Sequence, residues 1–458
     1  GAITFDDAAL VSKASFDGNV VTLKTLTGNI ELVQVKGNNG ADLDSAADIK
    51  GSTVIANHGT AKLIAAADIL NTTIEGNEVT LDAVGKITNV SVDALLKADL
   101  EADGNIFNVN VSARNIDAES TAGDITASMF EALNNVTLKA AGELNGLTVH
   151  AEGVDLIDAS DLAIDATAGT WVVGGEYIAE LGSIKINATN NILGAIVAAK
   201  QAGATVTLNA EDGEVDGVKV TMIGDVTVSA DGITGGLYVS EQGDIELTAN
   251  AQDMSGVYAK AKLGSATLTT ADGYDIIGST ADAHRVATLN SGGNVIDSAA
   301  ISATDADPSV DVTAIITAKG NVSGSVAYAA QKGASITGAS IDSSSVTALL
   351  DNASMSATTS ISGSTARAGK AASLTAGTPA TPGTISNTGV IAGTTIATSG
   401  NIVASDLVAA GNITISNAAL ADSVTAVSTG GAITASDNVD EIKGGEYTAS
   451  GAVTLGSD

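Results

Sequence analysis

The chain of 458 residues contains no cysteine, which excludes disulfides, thiolate metal sites and cysteine nucleophiles. Histidine is almost as scarce, with only His58, His150 and His284 at widely separated positions. A metal site built from clustered histidines is therefore not expected. We interpret the three histidines as surface side chains.

Proline and aromatic residues are also rare. There are 3 prolines against 51 glycines without a glycine period of three, which excludes a proline-rich linker and a collagen helix. Aromatic residues make up 2% of the chain, although hydrophobic residues make up 44%. Large irregular cores normally use bulky rings to fill space. A core of short aliphatic side chains is typical of a narrow interior built from repeated layers.

Basic residues are few, 20 against 53 acidic ones, giving a formal net charge of −33. Binding to nucleic acid or anionic membranes is not expected, because phosphate recognition needs clustered lysine and arginine. No run of about 18 uniformly apolar residues predicts a transmembrane helix. The first 18 residues, GAITFDDAALVSKASFDG, lack the basic segment and apolar core of an export signal. We predict no membrane insertion.

The sequence is instead dominated by an internal repeat. Its marker is an apolar residue, any residue, then glycine or asparagine, followed by a second apolar stretch. The marker recurs at intervals of about 20 residues, with a degenerate copy at 124–130. The marker residues are Gly51, Asn71, Asn89, Asn108, Gly146, Gly174, Gly194, Gly217, Gly235, Gly256 and Gly278, with weaker copies at Gly324, Gly363, Asn387 and Gly444.

A second constant part lies upstream of each marker. Examples are VTLDA at 79–83, VTLKA at 136–140, VTLNA at 206–210 and VTVSA at 226–230. Apolar and polar residues alternate in these segments, which predicts half-buried strands. Helical periodicity is nearly absent, and only 92–102 and 345–353 are candidates for short helices.

Units of this length built from short strands exclude a β-propeller, whose blades need about 40–45 residues. A β-solenoid fits, because each unit can form one rung whose strands pair in parallel with those of the next rung. We therefore predict an all-β fold, a right-handed parallel β-helix of about 20-residue rungs. The right hand follows from the preference of parallel crossovers. Val206, Leu208 and Ala210 are expected to stack inside on Val226, Val228 and Ala230.

We expect a single elongated domain over residues 1–458, with regular rungs in 1–300 and Ser/Thr/Ala-rich, less regular rungs in 301–458. The longest insertions are expected around 155–172 and 298–320, with a further loop at 375–389. The marker glycine or asparagine is interpreted as a corner between two faces. A left-handed backbone conformation at this corner costs glycine almost nothing and asparagine little.

Candidate chemistry is confined to carboxylates. Asp155, Asp158, Asp161 and Asp165 lie close together in sequence, and Asp161 with Asp165 forms the best candidate pair for acid–base catalysis. The alternative function is therefore a carbohydrate-active β-helix enzyme, a polysaccharide lyase or hydrolase. Against it stand the single Trp171 and the lack of other sugar-stacking rings. We predict no catalytic, cofactor-binding or metal-binding residues.

Calcium is the one cation that the sequence leaves open. Acidic segments at 42–48 and 303–311 are candidates for weak Ca²⁺ binding, whereas neither an EF-hand loop nor the glycine/aspartate nonapeptide repeat is present. Solvated acidic loops are the alternative interpretation, and it is the one we favour.

The unit GNITISNAALADSVTAVSTGGAITASD at 411–437 resembles the repeats of filamentous-haemagglutinin-type adhesins and related secreted bacterial β-solenoids. The resemblance extends as a pattern over most of the chain, but the N-terminal secretion domain of that family is not part of it. It implies an extracellular location at a prokaryotic cell surface and a role in adhesion or filaments. Surface glycans or other surface proteins are the partners that such a role implies.

The two ends of the chain show no capping segment. Residues 1–4, GAIT, match residues 431–434, and 451–458 begin another unit. Solenoid ends normally need caps. We therefore expect either a piece of a longer protein or head-to-tail self-association into fibres. The overall prediction is a non-enzymatic extracellular structural protein, a β-solenoid subunit or segment of a filament, surface layer or adhesive stalk.

Overall fold

The computed structural model of the chain describes residues 1–155, 158, 160–302, 313–435 and 439–456. These residues form sixty β-strands and no helix, which confirms the all-β prediction. The contacts divide the chain into two units, Gly1–Ala230 and Asp231–Asp458, and each unit is a β-solenoid.

The first unit contains β1 (Ile3–Ala8), β2 (Val11–Ser12), β3 (Ser15–Thr25), β4 (Ile30–Glu31), β5 (Gln34–Ser45), β6 (Ile49–Lys50), β7 (Thr53–Ala56), β8 (Thr60–Ala65), β9 (Ile69–Leu70), β10 (Thr73–Ala83), β11 (Ile87–Thr88), β12 (Ser91–Ala102), β13 (Ile106–Phe107), β14 (Asn110–Ser120), β15 (Ile125–Thr126), β16 (Met129–Ala140), β17 (Leu144–Asn145), β18 (Thr148–Ala151), β19 (Leu162–Ala168), β20 (Val172–Val173), β21 (Glu176–Ala179), β22 (Ser183–Ala188), β23 (Ile192–Leu193), β24 (Ile196–Ala199), β25 (Thr205–Ala210), β26 (Glu214–Asp216), β27 (Lys219–Met222) and β28 (Asp225–Ala230).

The second unit contains β29 (Gly232–Thr234), β30 (Leu237–Ser240), β31 (Ile245–Ala249), β32 (Met254–Ser255), β33 (Tyr258–Ala261), β34 (Ala266–Asp272), β35 (Ile276–Ile277), β36 (Thr280–Ala283), β37 (Val286–Gly292), β38 (Val295–Ile296), β39 (Ala299–Ser302), β40 (Thr313–Ala318), β41 (Val322–Ser323), β42 (Val326–Ala329), β43 (Ala334–Asp342), β44 (Ser345–Ala348), β45 (Ala353–Ser362), β46 (Thr365–Ala368), β47 (Ala372–Thr378), β48 (Thr381–Pro382), β49 (Thr384–Ser386), β50 (Gly389–Ala392), β51 (Ile396–Ser399), β52 (Asn401–Val403), β53 (Asp406–Ala409), β54 (Ile413–Ser416), β55 (Leu420–Asp422), β56 (Thr425–Ser428), β57 (Ile433–Ala435), β58 (Glu441–Lys443), β59 (Glu446–Ala449) and β60 (Val453–Leu455).

One rung combines a longer strand, a short middle strand, a corner and a third strand. In the rung formed by β25, β26 and β27, each strand pairs in parallel with its counterpart in the preceding rung, β22, β23 and β24. Leu208 lies on Ile186, and Val215 lies on Ile192. The predicted stacking of Val206 on Val226 and of Leu208 on Val228 is present. Parallel rungs of about 20 residues are therefore confirmed, while the right hand and the single continuous domain remain predictions.

The core is a set of aliphatic ladders. The inward residue two positions before the corner is isoleucine in six successive rungs, and each of these side chains is completely buried: Ile30, Ile49, Ile69, Ile87, Ile106 and Ile125. A β-branched side chain packs well on a pleated parallel sheet that is buried against the opposite face. Because each rung buries the same small set, bulky rings are needed at few positions.

The corners explain the glycine and asparagine markers. All fifteen predicted marker residues have positive φ, between 50° for Asn387 and 63° for Gly256. The same conformation recurs at seven further corners, where the residue is neither glycine nor asparagine: Lys13, Leu32, Ala127, Asp297, Ser343, Ala404 and Ser423. With these, the described residues of each unit contain eleven corners. The degenerate copy at 124–130 contains the corner at Ala127, whereas the other six corners carry neither glycine nor asparagine and were not predicted.

Neither candidate helix forms, so that prediction was wrong. Residues 92–102 lie in β12, whose register shifts between Asp93 and Lys97. The irregularity exposes Leu95 and Leu96, and it interrupts the alternation so that the sequence mimics a helical pattern. Residues 345–348 form β44, and Leu349 and Leu350 follow it as exposed residues. Pairing with neighbouring rungs overrides local helix propensity here.

The insertions fall between strands of the solenoid. The insertion predicted around 155–172 is shorter, because β19 already begins at Leu162 and residues 152–161 separate it from β18. Of the insertion predicted around 298–320, residues 303–312 lie outside the described residues, and β39 and β40 lie on either side of them. The loop predicted at 375–389 contains a small antiparallel hairpin, in which Thr378 of β47 pairs with Thr381 of β48.

Candidate functional site

The carboxylates of the 152–161 loop hold this loop to the solenoid. Arg114 donates two hydrogen bonds of 2.6 Å, from Nε and Nη2, to the two carboxylate oxygens of Asp155. The hydrogen bond to Arg114 lowers the pKa of Asp155. Planar bidentate pairing of this kind fixes geometry better than a single contact. Asp155 is therefore an anchor of the loop.

Asp158 and Asp161 are engaged by the same loop. The backbone N–H and the hydroxyl of Ser160 both donate to Asp158 Oδ1 at 2.9 Å, and these bonds lower the pKa of Asp158. The backbone N–H of Asp158 in turn donates to Asp161 Oδ2 at 3.2 Å. These are the short-range hydrogen bonds by which aspartate typically orders a loop.

Asp165, the second member of the candidate catalytic pair, lies inside β19 rather than in the loop. Its neighbours in register are Thr137 and Lys185. Its Oδ1 atom is buried without a hydrogen-bond partner. The structure therefore places Asp161 and Asp165 on different elements, a loop and a strand, and Asp161 is already used by the loop backbone.

The three histidines lie apart, as the sequence predicts. A ring nitrogen of His58, Nδ1, lies 3.2 Å from Asn38 Oδ1, and His150 Nε2 lies 3.3 Å from Glu180 Oε1. The backbone N–H of His284 donates to Ala261. Within the described part of the chain, no three His, Asp or Glu side chains are grouped closely enough to hold a metal ion.

One open depression gathers titratable side chains that the sequence did not suggest. It has a volume of about 230 Å³ and is lined by Glu131, His150, Glu152 and Leu133, among others. Glu131 and His150 are direct neighbours on β16 and β18. Glu131 and His150 are one rung apart in sequence, and each lies four residues after a corner. Alignment of the rungs on their corners is the one sequence signal that brings the two residues together.

Beside this depression, Glu180 links two rungs. Lys200 Nζ lies 2.6 Å from Glu180 Oε1, and the hydrogen bond to Lys200, followed by that to His150, lowers the pKa of Glu180. Since these side chains are more than one-third exposed, the group is a surface charge network of small energetic value.

Acidic side chains also accept hydrogen bonds from the backbone of the neighbouring rung. An Asp or Asn three residues before the corner accepts the backbone N–H of the equivalent residue in the next rung, as Asp48 Oδ1 does from Asp68 at 3.2 Å. The second oxygen of Asp48 faces Lys50 Nζ at 3.4 Å. Asp48 belongs to the segment 42–48 proposed for weak Ca²⁺ binding, whereas the segment 303–311 lies outside the described residues.

The longer strands of the second unit present two outward rows that consist mainly of serine and threonine, here called the hydroxyl face; the other members are Glu246, Asn290, Ile315 and Ala397. The rows follow the strand register from β31 to β57. The first row is Glu246, Thr267, Thr288, Ile315, Ser335, Ser354, Ser373, Ala397, Thr414 and Thr434, and the second is Thr248, Thr269, Asn290, Thr317, Thr337, Ser356, Thr375, Ser399 and Ser416.

Comparisons with known proteins add no relative. No family model matches the chain, and no curated protein or solved structure matches it. The described residues include no helix long and apolar enough to cross a membrane.

Proposed function

We propose that the chain is a non-enzymatic extracellular structural protein, a β-solenoid subunit or segment of a cell-surface filament, surface layer or adhesive stalk. The observation that carries this proposal is how the candidate catalytic aspartates are used. Asp155, Asp158 and Asp161 are engaged in contacts that hold the fold, while the rung repeat is maintained through both units. Such a chain offers regular, rigid surface rather than a reaction centre.

The internal contacts suit a load-bearing role. Each rung is joined to the next by parallel backbone hydrogen bonds, and polar side chains repeat the pattern between rungs. Asn89 donates to Asn71 at 3.0 Å, and Asn108 donates to Asn89 at 2.8 Å. Many equivalent bonds between neighbouring rungs must break together before a rung separates.

The outermost strands offer an end-on contact. In the described residues, β60 pairs with β57 on one side only, and Val453 and Leu455 remain about 40% exposed. An unpaired strand edge is a template for a further parallel strand. We propose that another rung pairs there, supplied by a continuation of the chain or by a second copy head to tail.

The proposed environment follows from charge and composition. The net charge of −33 favours solubility and opposes binding to nucleic acid or anionic membranes. We propose surface glycans or other surface proteins as partners, and no cofactor beyond weakly bound Ca²⁺.

Antibody labelling of intact cells tests the location. Antibodies raised against the purified chain are expected to label the outside of unpermeabilised source cells in electron micrographs, along filaments or a regular layer. Labelling that appears only after permeabilisation would contradict the proposal.

The absence of enzymatic activity is tested separately. The purified chain is expected to release no reducing ends or unsaturated products from a panel of polysaccharides. Release that is lost in Asp161→Asn, Asp165→Asn or Glu131→Gln variants would instead support the carbohydrate-active alternative.

A further inference from the structure

The hydroxyl face differs in charge from the equivalent surface of the first unit. Its nineteen positions contain one charged side chain, Glu246, at the first strand. The equivalent outward positions of the first unit include carboxylates directly opposite one another on β12 and β14, namely Asp99 with Asp117 and Glu101 with Glu119. An extended uncharged face is therefore unusual on this acidic chain.

Most side chains of the hydroxyl face make no hydrogen bond within the described residues; at its far end, Ser416 donates to the carbonyl oxygen of Thr398 at 3.1 Å and Ser399 accepts from Asn417 at 3.2 Å. Between β34 and β47, hydroxyls such as those of Thr269, Thr317 and Thr337 make no hydrogen bond to another group of the described residues. They are half-buried or exposed. Each hydroxyl is both a donor and an acceptor, so the rungs from β34 to β47 present free hydrogen-bonding capacity.

We propose that the hydroxyl face is a lateral self-association surface, on which the same face of a second copy of the chain docks. This inference rests on the proposed structural function and deepens it by naming a partner. Two chains of net charge −33 repel each other where carboxylates would meet. They can approach closely where the facing side chains are neutral and short.

A second copy is also the partner whose geometry fits. Adjacent parallel strands are about 4.8 Å apart, so successive side chains of each row have this spacing on both copies. Side chains of the two copies can therefore face each other along the length of the hydroxyl face. Serine and threonine lose little side-chain entropy when they are ordered. Oligosaccharides are less suitable, because the face contains no aromatic side chain on which a sugar ring could stack.

The available area fits a reversible contact. Nine strand spacings of about 4.8 Å and a width of about 12 Å give about 500 Å² on each copy. The total of about 1,000 Å² is at the lower limit of specific protein interfaces. We therefore expect a concentration-dependent dimer rather than an obligate one.

Sedimentation equilibrium of the intact chain at low and high salt tests the inference. A dimer is expected, with tighter association at high salt because salt screens the repulsion between acidic chains. The variant Thr269→Glu/Thr317→Glu/Thr337→Glu is expected to weaken the dimer at least tenfold. A matched control places the same charges on other outward positions of the second unit, Thr280→Glu/Thr347→Glu/Thr365→Glu, and is expected to dimerise like the unmodified chain.

Circular dichroism first establishes that both variants keep the β-structure. A chain that stays monomeric at high concentration and high salt would overturn the inference. Equal dimerisation of both variants would place the contact elsewhere and would also overturn it. Retention of a monomeric chain on chitin or cellulose particles, lost in the face variant, would assign the face to a solid polysaccharide instead. Surface labelling of cells does not depend on any of these results, so the two proposals fail separately.

Discussion

At the scale of single residues, the corner combines a fixed backbone conformation with a variable side chain. An added Cβ at Gly146, Gly174, Gly194 or Gly217 would meet no atom within 4 Å, so space does not select glycine there. Glycine is favoured at these corners by the backbone conformation, because the left-handed conformation costs an ordinary L-residue about 1–2 kcal/mol. Leu32 and Lys13 bear this cost with their side chains pointing away from the core.

Gly217→Val is expected to destabilise the protein by about 1–2 kcal/mol, since a β-branched residue is poorly suited to φ of 61°. The urea midpoint of unfolding measures the change. Gly389→Val is the matched control, because a Cβ there also meets nothing within 4 Å but the backbone is not left-handed. Equal losses in the two variants would contradict a backbone origin.

Three rungs place tyrosine at the inward position three residues after the corner, and each has a second glycine next to the corner. The pairs are Gly175 with Tyr177, Gly236 with Tyr238, and Gly445 with Tyr447. A Cβ at Gly175 would lie 3.1 Å from Tyr177 Cε2 and 3.0 Å from the carbonyl oxygen of Leu147. The glycine therefore makes room for the ring, which explains why GGEY occurs at both 174–177 and 444–447.

Tyr177→Phe is expected to stabilise the protein by about 1 kcal/mol. The Tyr177 ring is fully buried and its hydroxyl has no partner in the described structure, so burial raises the pKa of this phenol and leaves its polar group uncompensated. Tyr258→Phe serves as control: its hydroxyl donates to Asp282 at 2.9 Å, and its removal should give no gain. The urea midpoints of the two variants measure the difference. A lower midpoint for Tyr177→Phe would mean that the hydroxyl of Tyr177 has a hydrogen-bond partner.

At the scale of elements, the corner reverses the direction of the backbone hydrogen bonds. Gly278 N–H donates forward to Ile296, whereas Thr280 N–H donates back to Val257. The intervening N–H of Ser279 is left between two rungs, and it donates to Ser298 Oγ at 3.1 Å. Buried hydroxyls occupy this position in seven successive rungs of the second unit: Ser279, Ser298, Ser325, Ser344, Ser364, Thr388 and Ser405.

Ser325→Ala is expected to cost about 1–3 kcal/mol, because it leaves the buried N–H of Ser298 without its acceptor at 3.2 Å. Ser323→Ala, on the outside of the same rung, should change stability by less than about 0.5 kcal/mol. Thermal or urea denaturation of the two variants gives the comparison. Similar small effects would show that water or a backbone shift replaces the serine hydroxyl.

At the scale of the whole molecule, the net charge of −33 includes carboxylates that neighbouring strands place side by side. Asp117 lies opposite Asp99, and burial, followed by the charge of Asp99, raises the pKa of Asp117. Lys97 Nζ contacts Asp99 at 3.0 Å and offsets part of this repulsion. Directly opposed like charges destabilise a sheet.

Asp117→Asn is therefore expected to raise the thermal midpoint at pH 7. The folded pKa of Asp117 lies above the unfolded one, so its ionisation opposes folding at neutral pH, and this penalty disappears as pH falls through the raised value. The gain should shrink as pH falls and vanish below about pH 4, the ordinary pKa of an aspartate in the unfolded chain. Asp155→Asn should behave oppositely, lowering the midpoint at pH 7, because Arg114 lowers the pKa of Asp155. The same sign in both variants would contradict this assignment.

The sequence by itself determined the rung length, the inward aliphatic set and fifteen of the corners, because these follow from a local period that every rung must repeat. Residues 206–210 and 226–230 could be aligned without any structure. The reversal of hydrogen bonding at the corner could not be predicted from the sequence, because serine follows only four of the fifteen marker residues, Gly51, Gly278, Gly324 and Gly363.

Tertiary structure alone decided what depends on neighbours one or more rungs away. It made 92–102 a strand, since pairing with β10 and β14 outweighs a local pattern that resembles a helix. It tied Asp155 to Arg114, 41 residues earlier, and brought Glu131 beside His150. A sequence period specifies which positions stack, whereas the charges and hydrogen bonds that meet across rungs depend on insertions and register, which only the folded chain fixes.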